Sequence, residues 1–375
     1  MKPHKVLHIL DVDKEAFYFN NLCDFTPRSE VEFSFITLAP AGEFTKSIEK
    51  RGLRVYGLDA RSKRQLLSTV TKIWKILKIE KPDIVHAHLF YPSVLGLALA
   101  RLRKIKTVLT RHHSDALHLL PNKIKRSFYL TIENFHNHSA DHIVAPSRMV
   151  KKCLVEWENV PEEKVSLIPY GQTSERFEAV TEDIIRRKRI ELGMSGHISL
   201  VCVSRLFDRK GHKYLFDAVA PLIKNGLNAK LYLVGEGEYR KKLEYIASNL
   251  GILQNIEFLG WREDALAIMA AADIVVHPSL EDALSQSLIE SLMLQRPIIA
   301  TDISGAADTL DGGKYGQLVP PADSNSFRIA LKEVIENLDA AQEKAKLGRE
   351  YLLEYMDAKH VAAKYLNIYK KVLAN

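Results

Sequence analysis

Two cations stand close together where an apolar stretch of the sequence gives way to a loop. Arg205 and Lys210 lie in the run VSRLFDRKGHKYLFDAV, residues 203–219, and Gly211 follows them before an amphipathic segment begins. Fixed positive charges beside the first backbone amides of a helix stabilise phosphate groups. The run therefore predicts a diphosphate site, although a basic surface loop is the commoner meaning of such a pattern taken alone.

Two carboxylates flank the start of another predicted helix. The stretch HPSLEDALSQSLIES, residues 277–291, places Asp282 in a polar loop and Glu290 in the helix that follows. Carboxylates in these places can accept hydrogen bonds from the hydroxyls of a sugar and of a ribose. At the helix N-terminus, phosphate would face three consecutive backbone amides, those of Ala283, Leu284 and Ser285.

Two further acids, Asp11 and Asp13, follow the first apolar run of the chain in HILDVDKEAFYF, residues 8–19. An Asp-x-Asp pair can hold Mg²⁺ or Mn²⁺ against a nucleotide diphosphate, because hard cations prefer oxygen ligands. Two acids in a solvated loop at a strand end are the alternative. These residues alone leave both interpretations open.

A Gly-x-Gly loop follows the apolar run KLYLV, with Gly235 as its first glycine. Glycine lets a backbone come close to a ligand or adopt the conformation of a tight turn. The loop by itself favours the turn.

The elements that position these residues follow an alternating pattern. Short β-branched runs alternate with longer amphipathic stretches over nearly the whole chain, which predicts βα units on parallel sheets. The predicted fold class is α/β, with two Rossmann-like, doubly wound halves facing a cleft, since ligands of such sheets lie beyond the carboxyl ends of the strands. We expect an N-terminal domain of residues 1–175, a C-terminal domain of residues 190–350 and a C-terminal helix of residues 351–375 that returns to the first domain.

Length and cysteine content agree with a two-domain protein of a reducing compartment. The 375 residues exceed what one hydrophobic core usually serves. Cys23, Cys153 and Cys202 lie far apart and form no C-x-x-C pair, which argues against a disulfide framework or a zinc ribbon. The first apolar run is interrupted by His8 and is too short for a signal sequence or a membrane span. We therefore expect a cytoplasmic protein.

Positive charge is concentrated in one part of the first half. Residues 61–126 contain 15 Lys and Arg against three acids, within a chain of net charge +7. Each basic residue near an anionic lipid surface contributes about 1 kcal/mol of attraction. The segment predicts a peripheral contact with the inner face of the cytoplasmic membrane, with solvated helix faces as the alternative. No recognised nucleic-acid module accompanies the charge, so nucleic acid is not expected as a partner.

In the order and spacing of its motifs, the sequence resembles the retaining glycosyltransferases of the GT-B fold that are labelled family 4, or group 1. The resemblance spans nearly the whole chain. It rests on Ser204-Arg205-Leu206 with Lys210-Gly211, VGEGE (234–238), LGWRED (259–264), AADIVVHPSLEDALSQSLIES (271–291), ATDISGAAD (300–308) and GQLVPPAD (316–323). It implies sugar transfer from a nucleotide sugar, with no metal and no other cofactor.

The resemblance implies donor-side roles for residues of the second half. Arg205 and Lys210 would neutralise the diphosphate that leaves as the glycosidic bond breaks. Glu290 would accept hydrogen bonds from the ribose hydroxyls. The acid that contacts the transferred sugar falls on Asp282, one methylene shorter than the family's glutamate, with Glu281 as the adjacent alternative. The base would face the stretch formed by Gly260, Trp261 and Arg262. Gly235 of the VGEGE motif is also expected among the donor-binding residues.

On the acceptor side, TVLTRHH (107–113) resembles the strand end where the family places a histidine near the sugar and the acceptor. The motif selects His112 as a catalytic residue, with His113 as the second choice. His86 and His88 lie two apart on one strand and so share a face, and His88 is expected on the acceptor side. A zinc site formed by these four histidines is disfavoured, because DIVHAH also matches a strand-end stretch of the family.

Where the family usually has a Gly-Gly loop, this chain has Asp11 and Asp13, and no glycine occurs in its first 41 residues. Metal-binding Asp-x-Asp pairs belong to the other main glycosyltransferase fold. We therefore expect both acids to face the acceptor or to pair with Lys14 or a basic neighbour. The segment IPYGQTSERF, residues 168–177, resembles the family's inter-domain hinge, with Tyr170 where Asn is usual.

The implied activity is retaining transfer of a hexosyl or N-acetylhexosaminyl unit, with a UDP-sugar favoured as donor and GDP-mannose next. The acceptor is expected to be a lipid-linked saccharide in cell-surface polysaccharide or glycolipid synthesis. Two alternatives stay open. One is a nucleotide-sugar 2-epimerase of the same fold, and the other is an inactive donor-binding partner subunit.

Overall fold

The computed structural model describes residues 2–60, 65–112, 117–118 and 120–374. The chain forms two compact units. The first comprises Met1–Thr173 and Met356–Asn375, and the second comprises Ser174–Tyr355. The chain therefore leaves the first unit once and returns to it with its last helix.

Strands and helices alternate along both units. The strands are β1 (His4–Leu10), β2 (Val31–Thr37), β3 (Arg54–Gly57), β4 (Ile84–His88), β5 (Lys106–Thr110), β6 (His142–Ala145), β7 (Val165–Leu167), β8 (Ile198–Val203), β9 (Ala229–Val234), β10 (Ile256–Gly260), β11 (Ile274–His277), β12 (Ile298–Thr301) and β13 (Gln317–Val319).

The α-helices of the first unit up to the hinge segment are α1 (Phe17–Phe25), α2 (Glu43–Lys50), α3 (Leu66–Glu80), α4 (Phe90–Leu102), α5 (Lys123–Ser139) and α6 (Arg148–Lys152). Those that follow are α7 (Glu175–Glu178), α8 (Glu182–Glu191), α9 (His212–Lys224), α10 (Arg240–Asn249), α11 (Ala265–Ala271), α12 (Gln286–Met293), α13 (Ser304–Thr309), α14 (Ser324–Glu336), α15 (Leu338–Tyr355) and α16 (Ala358–Ala374).

Both units are built on parallel sheets, which confirms the predicted α/β class. The first sheet has the order β3-β2-β1-β4-β5-β6-β7, and the second has the order β10-β9-β8-β11-β12-β13. The strand order reverses between β1 and β4 and again between β8 and β11. Ligands of open parallel sheets bind beyond the strand ends at such a reversal. The loops after β1, β8 and β11 contain the acidic pair, the SRLFDRK run and the SLED run, and β4 ends at the last histidine of the HAH stretch.

Aspartates placed directly before three strands hold the start of a neighbouring strand. Asp83, Asp141 and Asp273 each accept a hydrogen bond at 2.8 Å from the backbone amide of a residue in the adjacent strand. An unpaired amide at the end of a sheet would otherwise need water as its partner. These hydrogen bonds explain the aspartate that recurs before Ile-Val in the three strands. The three aspartates are therefore structural and are not candidate catalytic residues.

The last helix belongs to the core of the first unit. Tyr365 and Tyr369 of α16 are buried in one apolar cluster with Val6 of β1 and Phe35 of β2. The returning segment begins at Met356, slightly after the start expected from the sequence. Among the residues that the structure describes, no helix has both the length and the apolar character needed to cross a bilayer.

Candidate active site

A largely buried ion pair joins two residues that the sequence assigned to the donor. Lys210 follows β8, Asp282 follows β11, and Lys210 Nζ lies 2.7 Å from Asp282 Oδ2. Burial alone would raise the pKa of Asp282, but the charge and hydrogen bond of Lys210 outweigh it and hold that pKa below its ordinary value. Asp282 is therefore ionised at neutral pH. It is this acid, and not its neighbour Glu281, that the lysine binds in the structure.

The loops that provide this pair are in backbone contact at a glycine. Gly211 has φ +67°, and a Cβ at this position would lie 1.9 Å from the carbonyl oxygen of Pro278. Beside it, the amide of Leu280 donates to the carbonyl of Arg209 at 2.8 Å. Only glycine permits an approach this close. The contact holds the two loops, and with them the ion pair, in place.

The other predicted cation lies at the rim of the same loop. Arg205 is exposed, and its guanidinium carbon lies 5.0 Å from the centre of the Phe207 ring. The neighbouring loop after β9 packs on this turn through Gly235, whose Cβ would lie 2.1 Å from the carbonyl oxygen of Ser204. Packing of one backbone on another therefore accounts for Gly235 without a ligand, in agreement with the turn that the sequence favoured.

Several polar groups near the Lys210–Asp282 pair have no protein partner. Among the described residues, no protein oxygen accepts a hydrogen bond from the backbone amides just before α12, those of Ala283, Leu284 and Ser285. Three buried side-chain atoms in or directly beside the loops after β8 and β11 also have no partner among the described residues, namely His212 Nδ1, His277 Nε2 and Ser279 Oγ. Buried polar atoms normally have hydrogen-bond partners. A bound polar molecule is one means of providing them.

The second predicted carboxylate is held by an arginine that sequence reasoning missed. Arg176 Nη1 lies 2.9 Å from Glu290 Oε1, and the two side chains are only 18% and 15% exposed. Burial raises the pKa of Glu290 and outweighs the opposing effect of the Arg176 charge. Arg176 belongs to the segment IPYGQTSERF, and its position in that motif was the available signal.

Replacement of Arg176 with methionine should destabilise the protein in a pH-dependent way. Removing one partner of a buried pair costs about 3 kcal/mol, because Glu290 is left buried without a cation. A carboxyl whose folded pKa is raised loses stability as pH increases through its ordinary and then its folded value. The loss should therefore be larger at pH 7.5 than at pH 5, as measured by urea unfolding.

The matched control for this change is Arg187→Met, since Arg187 is 77% exposed and binds Asp183 at the surface. Arg187→Met should lower the free energy of unfolding by less than about 1 kcal/mol at both pH values. Equal destabilisation by Arg176→Met at pH 5 and pH 7.5 would show that Glu290 is not the group responsible.

The stretch expected to face the base contains one exposed aromatic residue. Trp261 is 59% exposed and follows Gly260, which has φ +70°. The Arg262 guanidinium donates to Asp264 at 2.7 Å and to Glu191 at 2.9 Å. The hydrogen bonds that Arg262 donates to these two carboxylates raise its pKa. The arginine side chain is thus engaged with acids, whereas Trp261 presents an exposed aromatic ring.

In the first unit, the predicted acceptor-side histidines form one hydrogen-bonded chain. His8 Nδ1 lies 2.9 Å from His88 Nε2, and His88 Nδ1 lies 3.1 Å from His112 Nε2. The chain ends at Tyr170, whose hydroxyl lies 2.7 Å from His112 Nδ1. The hydroxyl of Tyr18 also lies 3.1 Å from His88 Nδ1. His8, Tyr18 and Tyr170 were not assigned to the site from the sequence, while His113 lies outside the described residues.

The geometry of the buried histidines does not suit a metal ion. Ring nitrogens of His8, His86 and His88 lie within 4.8 Å of one another. However, the rings of His8 and His88 are stacked at 16°, and those of His86 and His88 at 28°. The facing nitrogens of His8 and His88 are already joined by a hydrogen bond at 2.9 Å, so one of the two carries a proton and offers no lone pair to an ion. His86 also binds the hydroxyls of Tyr369 and Thr110, at 2.9 and 2.8 Å.

The loop with the acidic pair is held by its backbone. Thr37 Oγ1 accepts from the amide of Val12 at 3.1 Å and donates to its carbonyl at 2.8 Å. The carbonyl of Asp13 lies 2.4 Å from where a Cβ of Gly42 would stand. The glycine that permits close approach at this strand end is therefore Gly42, on the neighbouring loop. Both Asp11 and Asp13 are half-buried, and Lys14 Nζ lies 3.3 Å from Glu43.

Comparison with known families decides the class of protein. Residues 197–337 match the family described as Glycosyl transferases group 1, and residues 16–176 match Glycosyltransferase Family 4. The chain is a family 4-like glycosyltransferase. The resemblance drawn from the motifs is confirmed, and the two matched ranges fall almost wholly in one unit each.

Similar proteins include other glycosyltransferases. The Escherichia coli UDP-Gal:alpha-D-GlcNAc-diphosphoundecaprenol alpha-1,3-galactosyltransferase is 27% identical over 72% of this chain and 71% of that protein. The 2-deoxystreptamine glucosyltransferase of Streptomyces kanamyceticus is 23% identical over 85% of each. Anabaena HepE, solved in complex with UDP and with UDP-glucose, has a TM-score of 0.83 at 19% identity over 98% of this chain and at least 99% of that chain. The likeness in structure confirms the GT-B fold of this glycosyltransferase.

Proposed function

We propose that this glycosyltransferase moves a hexosyl or N-acetylhexosaminyl unit from a UDP-sugar to an acceptor hydroxyl, with retention at the anomeric carbon. The observation that carries the proposal is the Lys210–Asp282 pair beside the amides before α12, which have no acceptor in the part of the chain that the structure describes. A cation and free amides suit a diphosphate, and the adjacent carboxylate suits sugar hydroxyls. UDP is favoured because HepE binds UDP and UDP-glucose and the E. coli relative is named for UDP-Gal.

In the proposed reaction, the bond between the anomeric carbon and the diphosphate oxygen breaks while the acceptor oxygen bonds to that carbon on the same face. The departing phosphate oxygen takes the proton of the acceptor hydroxyl. Arg205 and Lys210 stabilise the negative charge that grows on the diphosphate. Asp282, ionised and bound to Lys210, accepts hydrogen bonds from the sugar and positions it. The enzyme thus supplies charge and position, and it forms no covalent intermediate.

A thermal-shift panel of UDP, GDP, ADP and their sugars tests the donor. We expect UDP compounds to raise the Tm most, since a ligand at 100 times its Kd stabilises a protein by about 2.7 kcal/mol. A larger rise in Tm with GDP-mannose than with any UDP compound would identify GDP-mannose as the donor instead. Incubation of the preferred donor without acceptor separates the other activities. A 2-epimerised sugar nucleotide would indicate an epimerase, and donor binding without hydrolysis or transfer would indicate a binding subunit.

The proposed acceptor is a lipid-linked saccharide, reached at an anionic membrane surface by helices α3 to α5. Exposed apolar side chains lie along one face of α5: Ile124 is 83% exposed, Phe128 61% and Phe135 68%. Exposed Lys123 and Lys125 adjoin them. The acids within these three helices, Glu80 and Glu133, are both buried. Apolar and basic side chains together, without an exposed acid, suit the interface of an anionic bilayer.

Two further observations bear on the acceptor. The E. coli relative is named for an acceptor linked to diphosphoundecaprenol, a lipid carrier. Within the basic segment of residues 61–126, residues 61–64 lie outside the described residues. The membrane contact proposed for α3 to α5 therefore rests on the basic residues of the helices themselves.

Ile124→Ser should weaken binding to vesicles that contain anionic lipid. Burying an isoleucine side chain contributes about 1.5–3 kcal/mol, so the partition coefficient should fall about tenfold or more in vesicle sedimentation. Ile190→Ser is the matched control, because Ile190 is 72% exposed but lies on α8 of the second unit. The control should bind as the wild type does. Equal partition of the wild type onto neutral and anionic vesicles would contradict the membrane contact.

A further inference from the structure

The hydrogen-bonded chain of histidines in the first unit has a preferred direction. His8 and His88 are neutral at physiological pH, since burial lowers the pKa of His8 to about 3 and that of His88 well below its ordinary value. A neutral imidazole carries one N–H, so each ring donates through one nitrogen and accepts through the other. The protons along the chain must therefore run one way or the other.

The unpartnered nitrogen at the start of the chain selects between the two directions. His8 Nε2 is buried without a partner among the described residues, and Phe19, Phe33 and Phe35 pack against the ring. If the chain ran toward His8, this atom would carry a buried N–H with no acceptor, which folded proteins rarely leave. If it runs away from His8, the same atom is a bare lone pair. The second direction gives all three rings the Nδ1–H form, with His88 donating to His112 and His112 donating to Tyr170.

His88 has two acceptors for its single Nδ1–H. The Nε2 atom of His112 and the hydroxyl of Tyr18 both lie 3.1 Å from it. Burial raises the pKa of Tyr18, so that hydroxyl stays neutral. If another donor occupies His112 Nε2, the N–H of His88 can bind Tyr18 alone and remain satisfied. Tyr18 thus permits His112 Nε2 to be released without leaving a buried donor unpaired.

The backbone beside His88 is also held in an unusual state. Leu89, which follows it, has φ +67° and ψ 168°. Residues other than glycine rarely adopt this conformation, and it persists only where surrounding contacts hold it. The end of β4 is therefore fixed by its environment at the point where His88 meets His112.

We propose that His88 is a positioning residue that fixes His112 in the Nδ1–H form, and that Tyr18 is the alternate acceptor that frees His112 Nε2 to accept a hydrogen bond from a second hydroxyl of the acceptor, other than the one that attacks. The assignment rests on the proposed function for the identity of that hydroxyl. The tautomer itself does not depend on any substrate. No bond other than hydrogen bonds changes in this step, and the acceptor proton still leaves with the phosphate oxygen.

The tautomer is measured by ¹⁵N–¹H correlation spectra of the histidine-labelled protein, with His112 assigned by its loss in His112→Asn. We expect the Nδ1–H pattern in the wild type. In His88→Leu, the His112 ring should become a mixture of both tautomers or adopt the Nε2–H form. The kcat for transfer should fall about tenfold or more, with the Kd for UDP unchanged. His88→Asn places an amide N–H near the position of Nδ1 and should restore both the tautomer and most of kcat.

Two variants distinguish positioning from damage to the fold. His86→Leu removes an equally buried histidine of β4 that binds Tyr369 and Thr110, and it should leave the His112 tautomer unchanged. Tyr18→Phe should keep the tautomer but raise the KM for the acceptor. An Nε2–H pattern in the wild type, or a wild-type tautomer and kcat in His88→Leu, would overturn the proposal. Absence of transfer by the wild type would instead count against the proposed function, and the tautomer would still decide the inference.

Discussion

Replacing Lys210 with methionine should lower kcat/KM for the donor about 10²- to 10³-fold, the usual cost of removing one group that stabilises developing charge. Lys210 would be the buried cation nearest the leaving diphosphate, while Arg205 stays exposed at the rim. The change also leaves Asp282 buried without its partner, so the pKa of that carboxyl should rise. Steady-state kinetics with saturating acceptor measure the effect.

Stability and catalysis can be separated at this pair. The double variant Lys210→Met/Asp282→Leu replaces the ion pair with apolar side chains and should recover most of the stability lost in Lys210→Met, since such replacements are often neutral. It should not recover transfer. Lys213→Ala is the control, because Lys213 lies on the next helix turn and is 41% exposed. Recovery of transfer by the double variant would refute a catalytic role for the lysine.

Gly211→Ala should be among the most damaging single changes in the second unit. An alanine at φ +67° is strained, and its Cβ would lie 1.9 Å from the carbonyl oxygen of Pro278, so one of the two loops must move. We expect the free energy of unfolding to fall by more than about 4 kcal/mol, a loss typical of disrupted core packing. If the protein still folds, we expect greatly weakened UDP binding. Chemical unfolding and calorimetric titration with UDP distinguish these two results.

Gly193→Ala is the matched control for this prediction. Gly193 has φ +60°, close to that of Gly211, but no atom lies within 4 Å of the position that a Cβ would take. Gly193→Ala should therefore lower the free energy of unfolding by only about 1–2 kcal/mol, the penalty for an alanine in the left-handed conformation. UDP binding should stay intact. If the two alanine variants behaved alike, the contact with Pro278 would not be what holds the donor loops.

The fold could be predicted because its signals are local. Parallel strands buried on both faces require continuous apolar runs, and crossover connections require helices between them, so alternation along the chain identifies the α/β class. That His86 and His88 lie on the same face of β4 could be predicted, because alternate residues of a strand point to the same side of the sheet. The sequence predicts a helix at residues 351–375, but no local pattern specifies which sheet that helix covers.

The contacts of the candidate site could not be predicted, because they join residues far apart in the sequence. Lys210 and Asp282 were named separately, but their pairing depends on the backbone contact at Gly211. Arg176 lies in a recognised motif, yet its attachment to Glu290 is set by the fold of the second unit. At the first strand end, the sequence showed two acids where a glycine loop is usual, and it gave no sign that Gly42 of a neighbouring loop packs on the carbonyl of Asp13.

The measurement that tests the central proposal most directly is the anomeric configuration of the product. The purified protein is incubated with an isotopically labelled α-linked UDP-sugar and a short-chain lipid diphosphate saccharide, and the anomeric configuration of the new glycosidic linkage is determined by NMR. We predict a glycoside with the α configuration of the donor. A β-linked product, or a labelled sugar that never reaches the lipid acceptor with any donor of the panel, would contradict the account.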